Sequence, residues 1–130
     1  MPQNPVIIFV CEHAAAKSII AAAYFNKIAR EENLNFTAIA RGTDPDGELS
    51  PQTVAGLRED GLTPNESIPT RLTLDDLESA QRIVSFCELP EEYYQKTIVE
   101  QWDGVPAVSE DYGKARDAIV EHLKTLMNHL

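Results

Sequence analysis

Val6-Ile7-Ile8-Phe9-Val10-Cys11-Glu12-His13-Ala14-Ala15-Ala16-Lys17-Ser18 is the stretch that decides the fold. Its first five residues form an unbroken apolar, largely β-branched run behind Pro5, the pattern of a strand buried on both faces, and such strands belong to parallel sheets. From Lys17 to Arg30 the period becomes helical. Ile20, Ala23, Tyr24 and Ile28 fall on one stripe, with Lys27, Arg30, Glu31 and Glu32 at the polar end. In open parallel sheets ligands bind beyond the carboxyl ends of strands, so the loop from Cys11 to Ser18 has the most to say about function. Ala14 to Ala16 are small enough for a tight turn. A tight loop running into a helix N-terminus gathers backbone N–H groups and the positive end of the helix dipole at one point, which suits a tetrahedral oxyanion. The same field favours a thiolate, so Cys11 at the start of the loop and Lys17 at its end point to a sulfur nucleophile facing a phosphate-like anion.

The remaining elements follow from period and punctuation. Phe36 to Ala40 reads as a second strand, stopped by Gly42 and the turn Asp44-Pro45-Asp46-Gly47. Ser50-Pro51 is a helix cap with proline at the first position, Val54 and Leu57 give the stripe, and Gly61 closes the helix. Residues 62–72, with Pro64 and Pro69, form a loop. Thr73 and Asp76 make a capping box before Leu77 and Ala80, and Ile83-Val84-Ser85-Phe86 is a third strand. Glu88 to Glu92 is polar and broken by Pro90, hence a mobile loop, and Thr97 to Trp102 is a fourth strand. Ser109 is expected to cap a long helix bearing Tyr112, Ala115, Ile119, Leu123, Leu126 and Leu130. Alternating strands and helices specify an α/β fold. The expectation is a single-domain flavodoxin-like three-layer sandwich spanning residues 1–130, with a four-stranded parallel sheet in the order 2-1-3-4 flanked by helices.

Eleven Lys and Arg against 21 Asp and Glu give a net charge of -10, which repels a nucleic-acid backbone. The Val6 to Val10 run is far shorter than the ~20 residues of a membrane span, so no membrane partner is expected and the chain reads as cytoplasmic. Two cysteines, Cys11 and Cys87, are too few for a disulfide framework, and three histidines without paired spacing do not suggest a metal. No cofactor is expected.

Cys11, five residues, basic Lys17 and then Ser18, all behind an apolar strand, resemble the signature loop of the low-molecular-weight protein tyrosine phosphatases and the related thioredoxin-coupled arsenate reductases. Ala40-Arg41-Gly42-Thr43 is similar to the family's Ser-Ala-Gly-Thr, Ser50 to Thr63 to its second helix and turn, and Arg71-Leu72-Thr73 to its lead into an acidic helix. The resemblance spans essentially the whole chain. It implies Cys11 as nucleophile, the amides of Glu12, His13, Ala14, Ala15 and Ala16 as an oxyanion cradle, Lys17 as clamp and Ser18 as the hydroxyl bonded to the sulfur. The partners it implies are phosphate, arsenate or a phosphorylated substrate, with a thiol reductant if the chain is a reductase.

This chain departs from the family pattern at several positions. Lys17 stands for an arginine, whose planar fork grips two oxygens where an ammonium offers a point charge. Ala14 replaces an asparagine that braces the loop, and Ala16 replaces the second loop cysteine frequent in the phosphatases. Where the family carries Asp-Pro as general acid, this chain has Val105-Pro106, and Asp103 two residues earlier is the candidate donor. Cys87 occupies the place of the reductases' second cysteine, while Tyr94 stands where a third would be, so only a one-step Cys11 to Cys87 disulfide is open.

Plainer readings stand beside these. Cys87 alone reads as a buried structural thiol. His13 reads as a solvent-facing loop side chain, and Arg41 either leans toward the anion or pairs with nearby carboxylates. Trp102, Tyr93 and Tyr94 wall the pocket or simply pack under a loop. Two function classes remain: an enzyme, by phosphomonoester hydrolysis or arsenate reduction, or a module that binds phosphate or a phosphoprotein without turnover. Cys11 and Ser18 favour the enzyme; Lys17, Ala14 and the displaced acid favour the module.

Overall fold

β1 (Val6–Cys11) lies at the centre of a four-stranded parallel sheet, with β2 (Thr37–Gly42) on one side and β3 (Ala80–Ser85) and then β4 (Val99–Gln101) on the other, giving the order 2-1-3-4. The computed structural model describes residues 5–130. Strand geometry sends alternate side chains to opposite faces. Ile7 and Phe9 therefore enter the larger core while Ile8 and Val10 enter the smaller one, and all four are fully buried.

The larger core is closed by α1 (Lys17–Glu31), α2 (Pro51–Glu59) and α5 (Tyr112–Met127), and the smaller side carries α3 (Leu74–Ser79), whose Leu77 is buried there, and α4 (Glu91–Lys96). Three layers result. α1 buries more than the expected stripe, adding Ser18, Ile19, Ala21, Ala22, Phe25 and Ala29, while Tyr24 and Ile28 are only partly covered. The cause is that α1 is enclosed by the sheet beneath it and by α5 beside it, and its alanines allow that approach.

Local chemistry explains most element ends. Ser50 Oγ accepts from Thr53 N at 3.3 Å ahead of Pro51, and both halves of the Thr73–Asp76 capping box form, at 3.1 and 3.0 Å. Gly61 has a φ of +79, a conformation that glycine adopts without a side-chain penalty, past the end of α2.

Three expectations shift. α5 is capped by Asp111, which accepts from Lys114 N at 3.0 Å, and not by Ser109. The segment after Pro90 is no open loop, because Glu91–Lys96 winds into α4, with acidic residues in its first turn and Lys96 in its last to complement the helix dipole. β3 begins at Ala80, directly where α3 ends, since its pairing with β1 starts at Val6↔Ala80.

Asp60, just past α2, ties three helices together. It accepts from Tyr24 of α1, from Tyr112 at 2.9 Å and from Arg116 at 3.2 Å, both of α5. Gly56 fits the same corner: a Cβ there would lie 2.4 Å from the Tyr112 ring. No helix among the described residues is long and apolar enough to cross a membrane.

Candidate active site

Cys11 ends β1, and the chain then turns through Glu12 to Ala16 before Lys17 opens α1. The turn is tight enough to place Ala14 at a φ of +52, a left-handed conformation that costs an alanine about 1 kcal/mol or more. The surrounding structure holds it there. Gly42, at the end of the adjacent strand, packs so closely that a Cβ on it would sit 2.7 Å from the Ala14 Cβ and 2.9 Å from the Ala14 nitrogen.

The loop's carbonyls are fastened outward. Glu12 O accepts from Asp44 N at 2.7 Å, His13 O from Asp46 N at 3.0 Å, Ala15 O from Ser50 N at 2.9 Å, and Ala16 O from Ile20 N at 3.0 Å. Among the described residues the N–H groups of Glu12 to Ala16 donate to no protein acceptor. Backbone donors left over in a turn that leads into a helix are what an oxyanion requires.

The cysteine is coupled to that turn. Cys11 Sγ lies 3.0 Å from the hydroxyl of Ser18, which is fully buried in the first turn of α1. Both belong to the position anticipated for them. Lys17 is half-buried beside the sulfur's loop and makes no ion pair among the described residues.

A cleft of about 380 Å³ opens over this loop, lined by Cys11, Glu12, His13, Ala15, Ala16 and Lys17, with Asp46 and Ser50 from the facing loop. Its other wall brings Phe86, Cys87, Ala107, Val108 and Ser109. Cys87 reaches the cleft because the Phe86 amide donates to Val10 O at 2.8 Å, which draws the end of β3 against the end of β1. Ser85, fully buried, donates to Cys87 O and accepts from Cys87 N at 3.2 Å, fixing the turn. Burial pushes the Cys87 thiol above its usual range, and the nearby charges of Cys11 and Glu12 push it further.

His13 is half exposed at the rim. Its Nδ1 is 3.0 Å from Asp44 O and 3.4 Å from Asp46 Oδ1. That carbonyl first, and then the charges of Asp46, Glu12 and Asp44, hold its pKa above the ordinary 6.5.

Four sequence candidates are absent from the cleft lining: Ala14 and Ser18 are fully buried, Ala14 against Gly42 and Ser18 against the Cys11 sulfur, and Asp103 and Arg41 lie elsewhere. Asp103 is exposed and absent from the lining, while the following loop supplies Ala107, Val108 and Ser109; the residue before Pro106 is the buried Val105, which has no proton to give. Arg41 turns away from the anion loop, donating to Asp76 at 3.2 Å and to Ala40 O at 2.8 Å, with Glu66 at 3.8 Å. Trp102 is buried behind Phe86, which it meets edge-on at 5.7 Å, so Phe86 and not Trp102 faces the cleft. Asp46, Ser50 and Phe86 had no motif to announce them in this role. They arrive through topology, because the loops after β1, β2 and β3 meet at one sheet edge.

Residues 6–115 match the family described as low molecular weight phosphotyrosine protein phosphatase. The chain belongs to that family. Solved structures of similar fold include the YwlE arginine phosphatase, a Bacillus subtilis protein, in a mutant with a phosphorylated active-site serine; the identity is 24%, the TM-score 0.85, and 96% of this chain covers 95% of that one. A low molecular weight protein tyrosine phosphatase from Bacillus subtilis gives 24% identity and a TM-score of 0.80, with 95% of each chain covered. The thioredoxin-dependent arsenate reductase of Corynebacterium glutamicum gives 20% and 0.71, with 98% of this chain covering 64% of that one. No curated protein matches the chain.

Proposed function

We propose that the protein hydrolyses phosphate monoesters through a phosphocysteine on Cys11. The observation that carries this reading is the pairing of Cys11 Sγ with the buried Ser18 hydroxyl, at 3.0 Å, beside a loop whose amides have no protein acceptor among the described residues. The three non-bridging oxygens of the ester lie against the N–H groups of Glu12 to Ala16 and the N-terminus of α1, with Lys17 as the charged clamp. Sulfur attacks in line, the P–O bond to the leaving group breaks, and water later attacks phosphorus to free the thiolate. Ser18 donates to the sulfur and so stabilises it as the leaving group of the second step.

Hydrolysis of an aryl phosphate, with covalent phosphate trapped on the Cys11 peptide by rapid acid quench, tests the reading. Cys11→Ser should abolish turnover. Equal turnover in that variant would assign the activity elsewhere and defeat the proposal.

A second reading rests on Cys87 lining the same cleft as Cys11. With arsenate, Cys11 sulfur displaces water from arsenic; Cys87 then attacks the Cys11 sulfur, forming the disulfide as arsenic leaves two electrons richer as arsenite, and an external dithiol restores both thiols. Non-reducing mass spectrometry after arsenate treatment should then show a Cys11–Cys87 linked peptide. The raised Cys87 thiol is less often the thiolate that this attack requires, and ester hydrolysis is the principal proposal.

A further inference from the structure

Resting on that phosphatase reading, we infer that His13, held by Asp44 and Asp46, is the proton donor to the leaving group. The loop before α5 has no acid in the cleft: Val105 is buried, and Asp103 is not part of the lining. The ionisable side chains that do line it are Cys11, Glu12, His13, Lys17, Asp46 and Cys87. Cys11 is the nucleophile and Lys17 the clamp. Glu12 and Asp46 stand at the solvent-facing rim, and Asp46 is turned toward His13. Cys87 is engaged with Ser85.

His13 lines the cleft, and its ring is oriented by the facing turn. Both groups at its Nδ1, Asp44 O at 3.0 Å and Asp46 Oδ1 at 3.4 Å, are acceptors, so that nitrogen carries a hydrogen. The second proton of the imidazolium is then on Nε2, which lies 3.9 Å from Glu12 Oε2. In the first step Cys11 sulfur bonds to phosphorus, the P–O bond breaks, and the departing oxygen takes the Nε2 proton. The neutral ring is left with its Nδ1 hydrogen in place. In the second step Nε2 accepts a proton from the attacking water as the S–P bond breaks, which restores the imidazolium and the thiolate. Asp46 acts through His13 as a positioning residue. The charged groups around the ring are Glu12, Asp44 and Asp46, all acidic, with Lys17, Cys11 and Cys87 elsewhere in the same cleft.

Leaving-group dependence tests the assignment, because a poor leaving group needs a proton and a good one does not. His13→Gln should lose about hundredfold or more in kcat/KM with phenyl phosphate and under about threefold with a dinitrophenyl phosphate. In the wild type, the phenyl phosphate rate should fall on an alkaline limb above 6.5, since the protonated ring is required and its pKa is raised. Asp46→Asn should move that limb to lower pH, a shift that a merely structural role would not produce, and it carries the test if His13→Gln does not fold. Equal losses for the two esters, an unmoved limb in Asp46→Asn, or the same leaving-group signature in Asp103→Asn would overturn the assignment while leaving the phosphatase reading intact. A wild type that cleaves neither ester, or cleaves them no better than Cys11→Ser, overturns the phosphatase reading and the inference with it.

Discussion

Ser18 Oγ has no solvent contact and one sulfur partner, so its removal can be read as the loss of a single hydrogen bond to a leaving thiolate. Hydrogen bonds to charged groups contribute about 1.5–3 kcal/mol, and Ser18→Ala should therefore slow kcat about tenfold to a hundredfold and let phosphocysteine accumulate in a quenched steady state. Lys17→Arg is the opposite experiment. Its fork can hold two oxygens where the ammonium holds one, and kcat/KM for an aryl phosphate should rise provided the guanidinium fits beside Glu12. At this scale the sequence was legible in the placing of Cys11, Lys17 and Ser18, because a strand end and a helix start are local patterns. It was not legible where the role depends on an aim set by distant chain. Arg41 is directed by Asp76 of α3, thirty-five residues on, and His13 by the turn at Asp44 to Asp46. Asp103 lies outside the cleft lining, a placement that distance along the chain from Pro106 does not record.

β2 ends against the anion loop at Gly42, and this approach has no slack. A Cβ there would be under 3.0 Å from the backbone nitrogen of Ala14 and the carbonyl of Glu12. Gly42→Ala should cost about 1–3 kcal/mol in denaturant unfolding, typical of overpacking, and weaken phosphate binding as well, because the atoms that must move are those of the cradle. Asp60 makes a second prediction about elements. Its two tyrosine bonds and the Arg116 guanidinium hold its pKa below 3.8 against the opposing effect of burial. A depressed carboxylate stabilises the fold above its unfolded pKa and ceases to do so as pH falls through the folded one. Stability measured by urea at a series of acidic pH values should thus fall below about pH 4 in the wild type, and more gently in Asp60→Asn. Element types were readable because caps and periods are local, as Ser50-Pro51 and Thr73 with Asp76 show. The α5 cap was misplaced because Ser109 and Asp111 are both good caps, and only the observed bond to Lys114 N chooses between them. α4 hid behind Pro90, whose ring ends one element but equally well begins another.

The molecule as a whole carries -10, and its cleft faces solvent through Glu12 and Asp46. An anionic substrate approaches against this field and meets the loop amides, the α1 terminus, Lys17 and, when its ring is protonated, His13. Salt screens the long-range repulsion more than the short-range contacts. For an acidic phosphopeptide, kcat/KM should consequently rise as ionic strength goes from low to physiological, and a fall would show that the local positive field dominates. The sheet order was legible at this scale because one buried strand followed by a helix leaves few right-handed arrangements. The meeting of the turns after β1, β2 and β3 was not, since the contacts that join them are mostly backbone bonds, which no side-chain pattern records. Those bonds have a consequence for amide hydrogen exchange across the chain. β1 lies between two paired neighbours and two cores, so its amides should be among the slowest to exchange, whereas the next two, those of the exposed Glu12 and His13, have no acceptor among the described residues and should exchange orders of magnitude faster although their carbonyls are pinned. That sharp boundary at Cys11 marks a surface rigid in position yet open to deuterium, and a bound oxyanion would slow those two amides without any movement of the chain.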